Sequence, residues 1–492
     1  MKRATVLLAL MLLAACGAPA AEPPGDVAQS APSPSPTPAA TAVPPTEAPA
    51  TVAAPPAALL VAAWDETLGD VIRAVDPVTG EDAPDRAPVP FGRRRDVVYA
   101  PPYGLSADGR LVAVFETEGQ TCWEYAGGTS CGPRAERVHL LDGAAWRARV
   151  VAMPVAGWPG QMAFSAEGNK LAVALQTDEA TTLVVIDVAP ATVAGQAQLP
   201  FAPRLLGFTD AGHIVAYGQP EGDEPGVTQP EPPQVILLDG VSLAPLWETT
   251  LDNVVSGYWC SAECQADHGR RESTAWTPGV VLAPGGHMLL VVHADEDRLT
   301  TVDLDGQSVR SLHFGAPQTW LERLLVATAG VAHAKGAMNG ATRSAALSPD
   351  GTRLYVAGYT HRSDQDLQGN WTMTEEVMPL QVVDSPSGRV VAQSEYEAQV
   401  LHLAHDGARL LLHSWAGPWP ATRVVDALTL ETLAQFVGPT VRTTVDREGR
   451  LWLVGQKFDG ERVEMSVIDP SNYRTVAKWT ASGPATWLGW EY

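Results

Sequence analysis

The stretch LSPDGTRLYVAGY, from Leu347 to Tyr359, contains the unit that repeats along the chain and decides its fold. In Ser348-Pro349-Asp350-Gly351 the proline is preset for an early turn position and the glycine can take a positive φ, so this segment predicts a tight reversal. The residues that follow alternate with a period of two, which predicts a β-strand. The whole stretch therefore predicts a strand, a turn and a second strand.

Relatives of this hairpin recur at six other places. Each has a short polar turn containing glycine before an apolar run, and the turns lie at 106–109, 165–168, 209–212, 283–286, 405–407 and 446–449. A second repeated signature is an apolar run that ends in Asp and leads into a polar turn. It occurs at 71–80, 138–143, 183–188, 235–240, 299–306, 380–388, 422–429 and 465–472.

Strand units that repeat in a fixed order every 40 to 80 residues or so are typical of a β-propeller. We therefore expect an all-β fold over residues 58–492 with eight blades, or seven if one of the Asp-ended runs is an embellishment. The pieces at 59–64 and 71–76 lack a preceding turn and first strand, while 484–490 has no strand after it. These N- and C-terminal strands are expected to close one composite blade.

The repeat resembles the YVTN-type and related WD40-like propeller families. Their blades read as a Ser-Pro-Asp-Gly turn, a Leu-Tyr-Val strand and a Val-Ile-Asp strand ending near Thr-Gly, and the best matches are Ser348 to Val356 and Val75 to Gly80. The Gly-His and Trp-Asp marks of true WD40 repeats are missing. The resemblance implies an architecture and says little about chemistry.

Residues 1–15 have the features of a signal peptide, because a charged start precedes an apolar run too short to span a bilayer. The ending at Leu13 to Cys16 resembles the bacterial lipobox, which implies cleavage before Cys16 and acylation of that residue. An ordinary cleaved signal is the alternative. Residues 16–57 are mostly Ala, Pro, Thr and Ser, which predicts a lipid anchor followed by an extended tether. We expect an extracytoplasmic lipoprotein, at the cell surface or in the periplasm, that contacts the membrane through its lipid anchor only.

Connection lengths predict where a ligand binds. With the strands of each blade named a to d from the axis outwards, the repeated short turns join a to b and c to d on one face. The insertions fall in the b-to-c and d-to-a connections of the opposite face, at 116–137, 218–233, 252–276, 314–343, 359–378 and 414–421. Long loops on a rigid scaffold are frequent binding sites. The candidate binding residues are Trp123, Tyr125, Tyr258, Trp259, His268, His333, Lys335, Trp371, Trp415 and Trp419.

Large aromatic side chains in these loops suit carbohydrate, peptide or protein contact. The alternative is that each aromatic caps its own loop or plugs the channel, since large aromatics are buried on average. The insertion at 315–336 is the one segment whose apolar spacing favours a helix.

Four cysteines follow Cys16, and an even number in an exported chain favours disulfides. The simplest pairing is local, Cys122 with Cys131 and Cys260 with Cys264, so that each bond would staple one insertion. A metal site that combines the second pair with His268 is the alternative, although it would supply only three ligands.

The segment from Asp364 to Glu375 resembles an EF-hand calcium loop. Asp364, Asp366, Gln368 and Glu375 stand at its first, third, fifth and twelfth positions, with Gly369 at the sixth. Gln368 departs from the usual Asp or Asn, and no helical pair flanks the segment. Calcium is the one cofactor that the sequence suggests, and a hydrated polar loop is the alternative.

The formal net charge of −23 disfavours nucleic acid and anionic lipid surfaces as partners. The sequence has no Walker loop, no Gly-x-Ser-x-Gly elbow, no His-Glu-x-x-His helix and no dinucleotide fingerprint. We expect a binding or scaffold protein rather than an enzyme, with a protein, peptide or glycan of the cell envelope as ligand. The alternatives are a hydrolase or lyase with its site at the channel mouth, and a purely structural envelope component.

Overall fold

The repeated apolar runs form β-strands in the computed structural model of the chain. The structure describes residues 58–92, 103–125, 128–177, 180–220, 232–260, 273–314, 338–365, 371–415, 421–445, 451–459, 462–481 and 485–490. Regular structure in these ranges is strand, apart from a 3-10 turn at Pro284–Gly286. None of their helical segments is long and apolar enough to cross a membrane.

The strands are numbered in chain order. They are β1 (Leu59–Asp65), β2 (Gly69–Val75), β3 (Val89–Gly92), β4 (Tyr103–Leu105), β5 (Leu111–Tyr125), β6 (Gly128–Asp142), β7 (Arg147–Phe164), β8 (Lys170–Gln176), β9 (Thr181–Asp187), β10 (Thr192–Leu199), β11 (Phe201–Phe208), β12 (Ile214–Pro220), β13 (Gln234–Leu238), β14 (Pro245–Thr250), β15 (Gly257–Cys260), β16 (Ser273–Thr277) and β17 (Gly279–Leu282). They continue as β18 (Met288–Val292), β19 (Arg298–Asp303), β20 (Ser308–His313), β21 (Met338–Leu347), β22 (Arg353–Gln365), β23 (Trp371–Asp384), β24 (Arg389–Glu397), β25 (Val400–Leu403), β26 (Arg409–Ser414), β27 (Ala421–Asp426), β28 (Thr432–Val437), β29 (Thr440–Val445), β30 (Leu451–Asp459), β31 (Arg462–Asp469), β32 (Arg474–Ala481) and β33 (Ala485–Trp490).

Strand pairing groups most of these strands into antiparallel sets of four that follow the chain order. The sets are β4 to β7, β7 to β10, β11 to β14, β17 to β20, β21 to β24, β25 to β28 and β29 to β32. The long strand β7 serves two sets, because its first part pairs with β6 and its last part with β8. β15 and β16 form an added hairpin, in which β16 lies parallel to β21.

The last strand completes a set with the first three. β33 pairs antiparallel with β1, with Leu59 opposite Trp490 and Ala63 opposite Ala485, and β1 pairs in turn with β2 and β2 with β3. The predicted composite blade is confirmed.

The apolar core lies between neighbouring sheets. In β1, Leu59 and Val61 pack against the β29 to β32 set, whereas Leu60 and Ala62 pack against the β4 to β7 set. The other core clusters in the described residues bridge successive sets in the same way, so the series of sheets returns to its start. The chain is an all-β β-propeller. The grouping supports the predicted eight blades, and that number stays a prediction.

Burial follows the position of each strand in its set. The middle strands β8 and β9 are buried along almost their whole length, while the outer strands β10, β14 and β20 are mostly exposed. A strand that is covered on both faces needs a continuous apolar run, which explains the repeated runs in the sequence.

The Ser-Pro-Asp-Gly segment forms the predicted turn between β21 and β22. Ser348 Oγ donates to Asp350 Oδ1 at 2.5 Å and accepts from the backbone N of Arg353 at 2.9 Å, while Gly351 has a φ of +72°. The hydrogen bonds from Ser348 and Thr352 lower the pKa of Asp350 to about 2. The turn after β4 repeats this arrangement with Ser106 and Asp108.

The Asp at or just after the end of the third strand caps the turn that follows it at Asp76, Asp142, Asp239, Asp303, Asp384, Asp426 and Asp469. Asp426 accepts from the backbone N of Leu428 and Thr429, and Asp239 does the same two and three residues further on. The fourth residue after this Asp has a positive φ, as glycine at Gly80 and Gly388 and as other residue types at Trp146, Ala191, Leu243, Gln307, Leu430 and Tyr473. Where the Asp accepts these bonds, it stabilises a turn whose fourth residue has a positive φ even without glycine, as at Leu243 and Leu430.

Two turn glycines with similar backbone angles should differ in their tolerance of alanine. Gly351 and Gly407 have φ values of +72° and +65°, but a Cβ at Gly351 would meet nothing within 4 Å, whereas one at Gly407 would lie 2.4 Å from Pro349 Cγ in the neighbouring sheet. We expect Gly351→Ala to lose about 1 kcal/mol of unfolding free energy. Gly407→Ala should lose about 1–3 kcal/mol more, because Pro349 must move. Urea denaturation measures both variants, and equal losses would contradict this account.

Candidate functional site

The two faces of the propeller differ in their connections. On the face formed by the a-to-b and c-to-d turns, here the short-turn face, the described connections are four to six residues long apart from residues 76–88. The opposite face, here the long-connection face, carries the insertions. Two insertions that we expected to be loops, 116–137 and 359–378, are instead extended strand hairpins, in which Tyr125 pairs with Gly128 and Gln365 with Trp371.

Hydrogen bonds on the short-turn face link the turns of neighbouring sheets. Arg149 donates to the carbonyl of Ala189, and the backbone N of Asp210 donates to the carbonyl of Gly285 at 2.8 Å. Arg409 Nε donates to the hydroxyl of Tyr473 at 3.0 Å. These bonds fix the turns to one another, so the short-turn face is a rigid base for the opposite one.

On the long-connection face, Gln399 joins two neighbouring sheets. Its side chain is 2% exposed; Nε2 donates to Glu375 Oε2 at 2.6 Å, and Oε1 accepts from the backbone N of Trp415. Its backbone N donates to the carbonyl of His413 at 2.9 Å. Trp415 is 49% exposed, so a buried amide holds the backbone of an aromatic residue that faces solvent.

His413 lies beside this junction and is buried. Thr422 Oγ1 donates to the carbonyl of Pro439 at 3.3 Å and accepts from the backbone N of Val441 at 3.1 Å. Thr422 Oγ1 is also 3.1 Å from His413 Nδ1, within hydrogen-bond distance. His413 Nε2 is buried and has no hydrogen-bond partner among the described residues.

Charge and burial keep His413 neutral. Burial, then His402 and Arg442, lower its pKa to about 3. The ring of His402 stands edge-on at a centroid distance of 5.2 Å, and burial followed by Arg442 lowers the pKa of His402 as well. The site thus pairs two neutral imidazoles with a guanidinium.

A second polar cluster surrounds the connection from β18 to β19. His293 is fully buried, its Nε2 is 2.8 Å from Thr300 Oγ1, and its Nδ1 is 3.9 Å from Asp295 Oδ1. Burial, then Arg298 and His313, lower the pKa of His293 to about 4.

Two carboxyls of this connection lie near a buried arginine. Burial raises the pKa of Asp295 and the pKa of Asp297. The positive charge of Arg343, which is 8% exposed, partly opposes this by lowering both pKa values. Arginine stays protonated in proteins, so Arg343 supplies a fixed positive charge beside two acids.

The described residues contain no group of three or more His, Cys, Asp or Glu side chains arranged to hold a metal ion. For the predicted calcium loop, Asp364 pairs with Thr372 and Glu375 pairs with His361, so the two lie three positions apart along the hairpin. The carboxylate of Glu375 accepts from Gln399. Asp366 and Gln368 lie outside the described residues, and calcium stays a prediction.

The predicted aromatic residues fall mostly on strands of the long-connection hairpins. Trp123 and Tyr125 belong to β5, Tyr258 and Trp259 to β15, and Trp371 to β23. Trp415 is the predicted candidate whose exposure the structure describes. His268, His333, Lys335, Trp419 and the predicted helix at 315–336 lie outside the described residues.

Four further residues of the site, Gln399, His293, Arg343 and His413, were not predicted from the sequence. A signal for the two histidines was present, because each follows an unbroken apolar run, LLVV before His293 and LLL before His413. A polar residue directly after such a run stands at the end of a buried strand and needs partners there. No comparable signal marks Gln399, whose partners are 24 and 16 residues away.

The fold and its faces define the chain as a β-propeller with a rigid base and an elaborated opposite face. No family model and no curated protein matches it. Among solved structures, the dihydro-heme d1 dehydrogenase NirN in complex with DHE is similar with 14% identity and a TM-score of 0.48, over 89% of this chain and 76% of NirN. The Cps50 (Swd1) β-propeller domain of Myceliophteria thermophila has 10% identity and a TM-score of 0.41, over 74% and 94%. The periplasmic gluconolactonase PpgL of Pseudomonas aeruginosa has 13% identity and a TM-score of 0.39, over 77% and 94%. At these identities the similarity concerns the fold alone.

Lowering the pH from 7 to 5 should destabilise the chain through His413. Its pKa falls from an ordinary 6.5 to about 3 on folding, so the unfolded chain takes up the proton first. This contribution to stability is complete above pH 6.5 and is lost as the pH falls toward 3. At pH 5 the loss is roughly 2 kcal/mol. Urea denaturation at both pH values should show a smaller loss in His413→Gln, with the exposed His287→Gln as control. An unchanged loss in His413→Gln would contradict the assignment.

The backbone register supports the predicted disulfide between Cys122 and Cys131, which are directly opposite each other on β5 and β6. Directly opposite residues in an antiparallel pair have Cβ atoms about 4.5–5.5 Å apart, within a small shift of disulfide geometry. We expect peptide mapping of the chain, purified under oxidising conditions and without reductant, to recover the two cysteines as one linked fragment. Cys131→Ser should leave Cys122 as a titratable thiol. Recovery of both as free thiols in the unreduced wild type would exclude the bond. Cys264 lies outside the described residues, so the second pairing stays a prediction.

Proposed function

We propose that the chain is an extracytoplasmic, lipid-anchored binding or scaffold protein. Its ligand is a protein, peptide or glycan of the cell envelope, and it binds on the long-connection face. The observation that carries this proposal is the asymmetry of the two faces. Connections of four to six residues predominate on one face, while the other carries the β5–β6 hairpin, the β22–β23 hairpin and the added β15–β16 hairpin.

The junction at Gln399 supports binding on this face. An exposed Trp costs solvation free energy unless something covers it, and here the backbone of Trp415 is fixed by a buried amide. An aromatic residue whose backbone is already fixed loses less conformational entropy when a ligand binds. Such residues are common anchors of interfaces.

The proposed location outside the cytoplasm rests on features of the sequence alone. The lipobox-like ending at Cys16 and the Pro- and Ala-rich segment at 16–57 favour a lipid-anchored protein held away from the membrane. The net charge of −23 is consistent with a tether that keeps the folded part from an anionic surface.

A hydrolase or lyase is the second candidate, and one observation favours it. Asp295 and Asp297 carry raised pKa values beside Arg343, and a carboxyl that stays protonated nearer to neutral pH is suited to general acid chemistry. Loss of a measured lyase or hydrolase activity in Asp297→Asn would support this candidate.

Truncation of the exposed indole should weaken ligand capture. We expect full-length Trp415→Ala, used as bait in detergent-solubilised envelopes, to recover a specific partner at least tenfold less well than the wild type, because interface aromatics often contribute 2 kcal/mol or more. The control is Leu428→Ala, which removes a 67% exposed side chain from the short-turn face of the same sheet. Equal recovery by Trp415→Ala and the wild type would contradict binding at this part of the face.

A further inference from the structure

A polar pocket of about 470 Å³ lies on the long-connection face where β7 passes from one sheet to the next. Its walls include Trp158 of β7, Gln176 at the end of β8, Thr182 of β9 and Gln198 of β10, with Arg134 of β6 at the side. The volume is within the range of small-molecule sites.

We propose that this pocket binds a short saccharide that carries a carboxylate, such as a uronic acid unit. The inference rests on the proposed function and narrows it to one ligand class and one position on the face.

The side chains around the pocket match the surface of a sugar. A partly exposed indole, Trp158, offers a flat apolar face to the C–H side of a pyranose ring. Gln198 offers an exposed amide that can both donate and accept, which is what ring hydroxyls require.

Part of the pocket is preorganised. Gln198 Nε2 donates to Thr182 Oγ1 at 3.1 Å, and Thr182 is 2% exposed. A buried hydroxyl therefore fixes the position of the exposed amide. A Cβ at Gly157 would lie 2.6 Å from the carbonyl of Gln176, so β7 and β8 approach closely at this end of the pocket. Side chains that are already ordered lose little entropy on binding.

The charge of the pocket selects an acidic sugar. The described lining residues include one guanidinium, Arg134, and no carboxylate, in a chain that has 56 acidic residues against 33 basic ones. Arg134 is exposed and forms no ion pair with a described residue. A guanidinium binds a planar carboxylate with two parallel hydrogen bonds, a geometry that a neutral sugar cannot use.

The test is isothermal titration of the full-length chain in detergent with digalacturonate, and with maltose as a neutral disaccharide. Digalacturonate should bind, and maltose should bind at least tenfold more weakly. Arg134→Gln should weaken digalacturonate binding about tenfold or more, since a charge-assisted hydrogen bond of this kind contributes about 1.5 kcal/mol or more. The matched control is Arg147→Gln, which removes an exposed guanidinium from the start of β7, on the short-turn face.

Gln198→Ala, a second exposed position, should also weaken digalacturonate binding, measured well below the unfolding midpoint of the variant because Thr182 loses its hydrogen-bond partner. The proposal is overturned if digalacturonate does not bind, if maltose binds equally well, or if Arg134→Gln and Arg147→Gln have the same affinity. The two proposals fail separately. A partner that Trp415→Ala loses, together with no binding of digalacturonate, removes the saccharide pocket and leaves the proposed function standing.

Discussion

The structure depends on the burial of both faces of every sheet. Successive residues of a strand point to opposite faces, so Leu59 and Leu60 enter different core clusters, as do Leu171 and Ala172. A sheet with two apolar faces cannot be stable alone, and each must stand between two others. Stability is therefore shared around the series of sheets, and no central core is needed.

This constraint separates the two faces of the propeller. The turns of the short-turn face set the register of neighbouring sheets through bonds such as that from Asp210 to Gly285. Connections on the long-connection face do not have to set the register of the sheets, because the short-turn face already fixes the strands. Additional hairpins, polar junctions such as Gln399 and the pocket beside Trp158 can then form there without disturbing the core.

Structural features that depend on a few neighbouring residues, or on the order of the repeats, could be predicted from the sequence. Ser348, Asp350 and Gly351 specify their turn locally, and the pairing of β33 with β1 follows from the strands missing at each end of the repeat series. The hairpins at 116–137 and 359–378 differ from the predicted loops, because these segments contain few apolar residues and no alternation marks their strands. Gln399 and His413 could not be found as a site, since their partners come from other strands and sheets. Positions such as Gln307 and Leu430 adopt a positive φ without glycine, and a bonded Asp precedes each of them.

The pairing of β33 with β1 brings together segments from opposite ends of the described chain. The entropy of closing so long a loop grows only with the logarithm of its length, so the distance itself costs little. During synthesis, however, this edge of β1 has no partner until residues 485–490 have been made, and a bare strand edge is a template for pairing with other chains. The protein is thus exposed to aggregation for nearly the whole time that its chain is being synthesised, and this exposure ends when a six-residue strand pairs with β1.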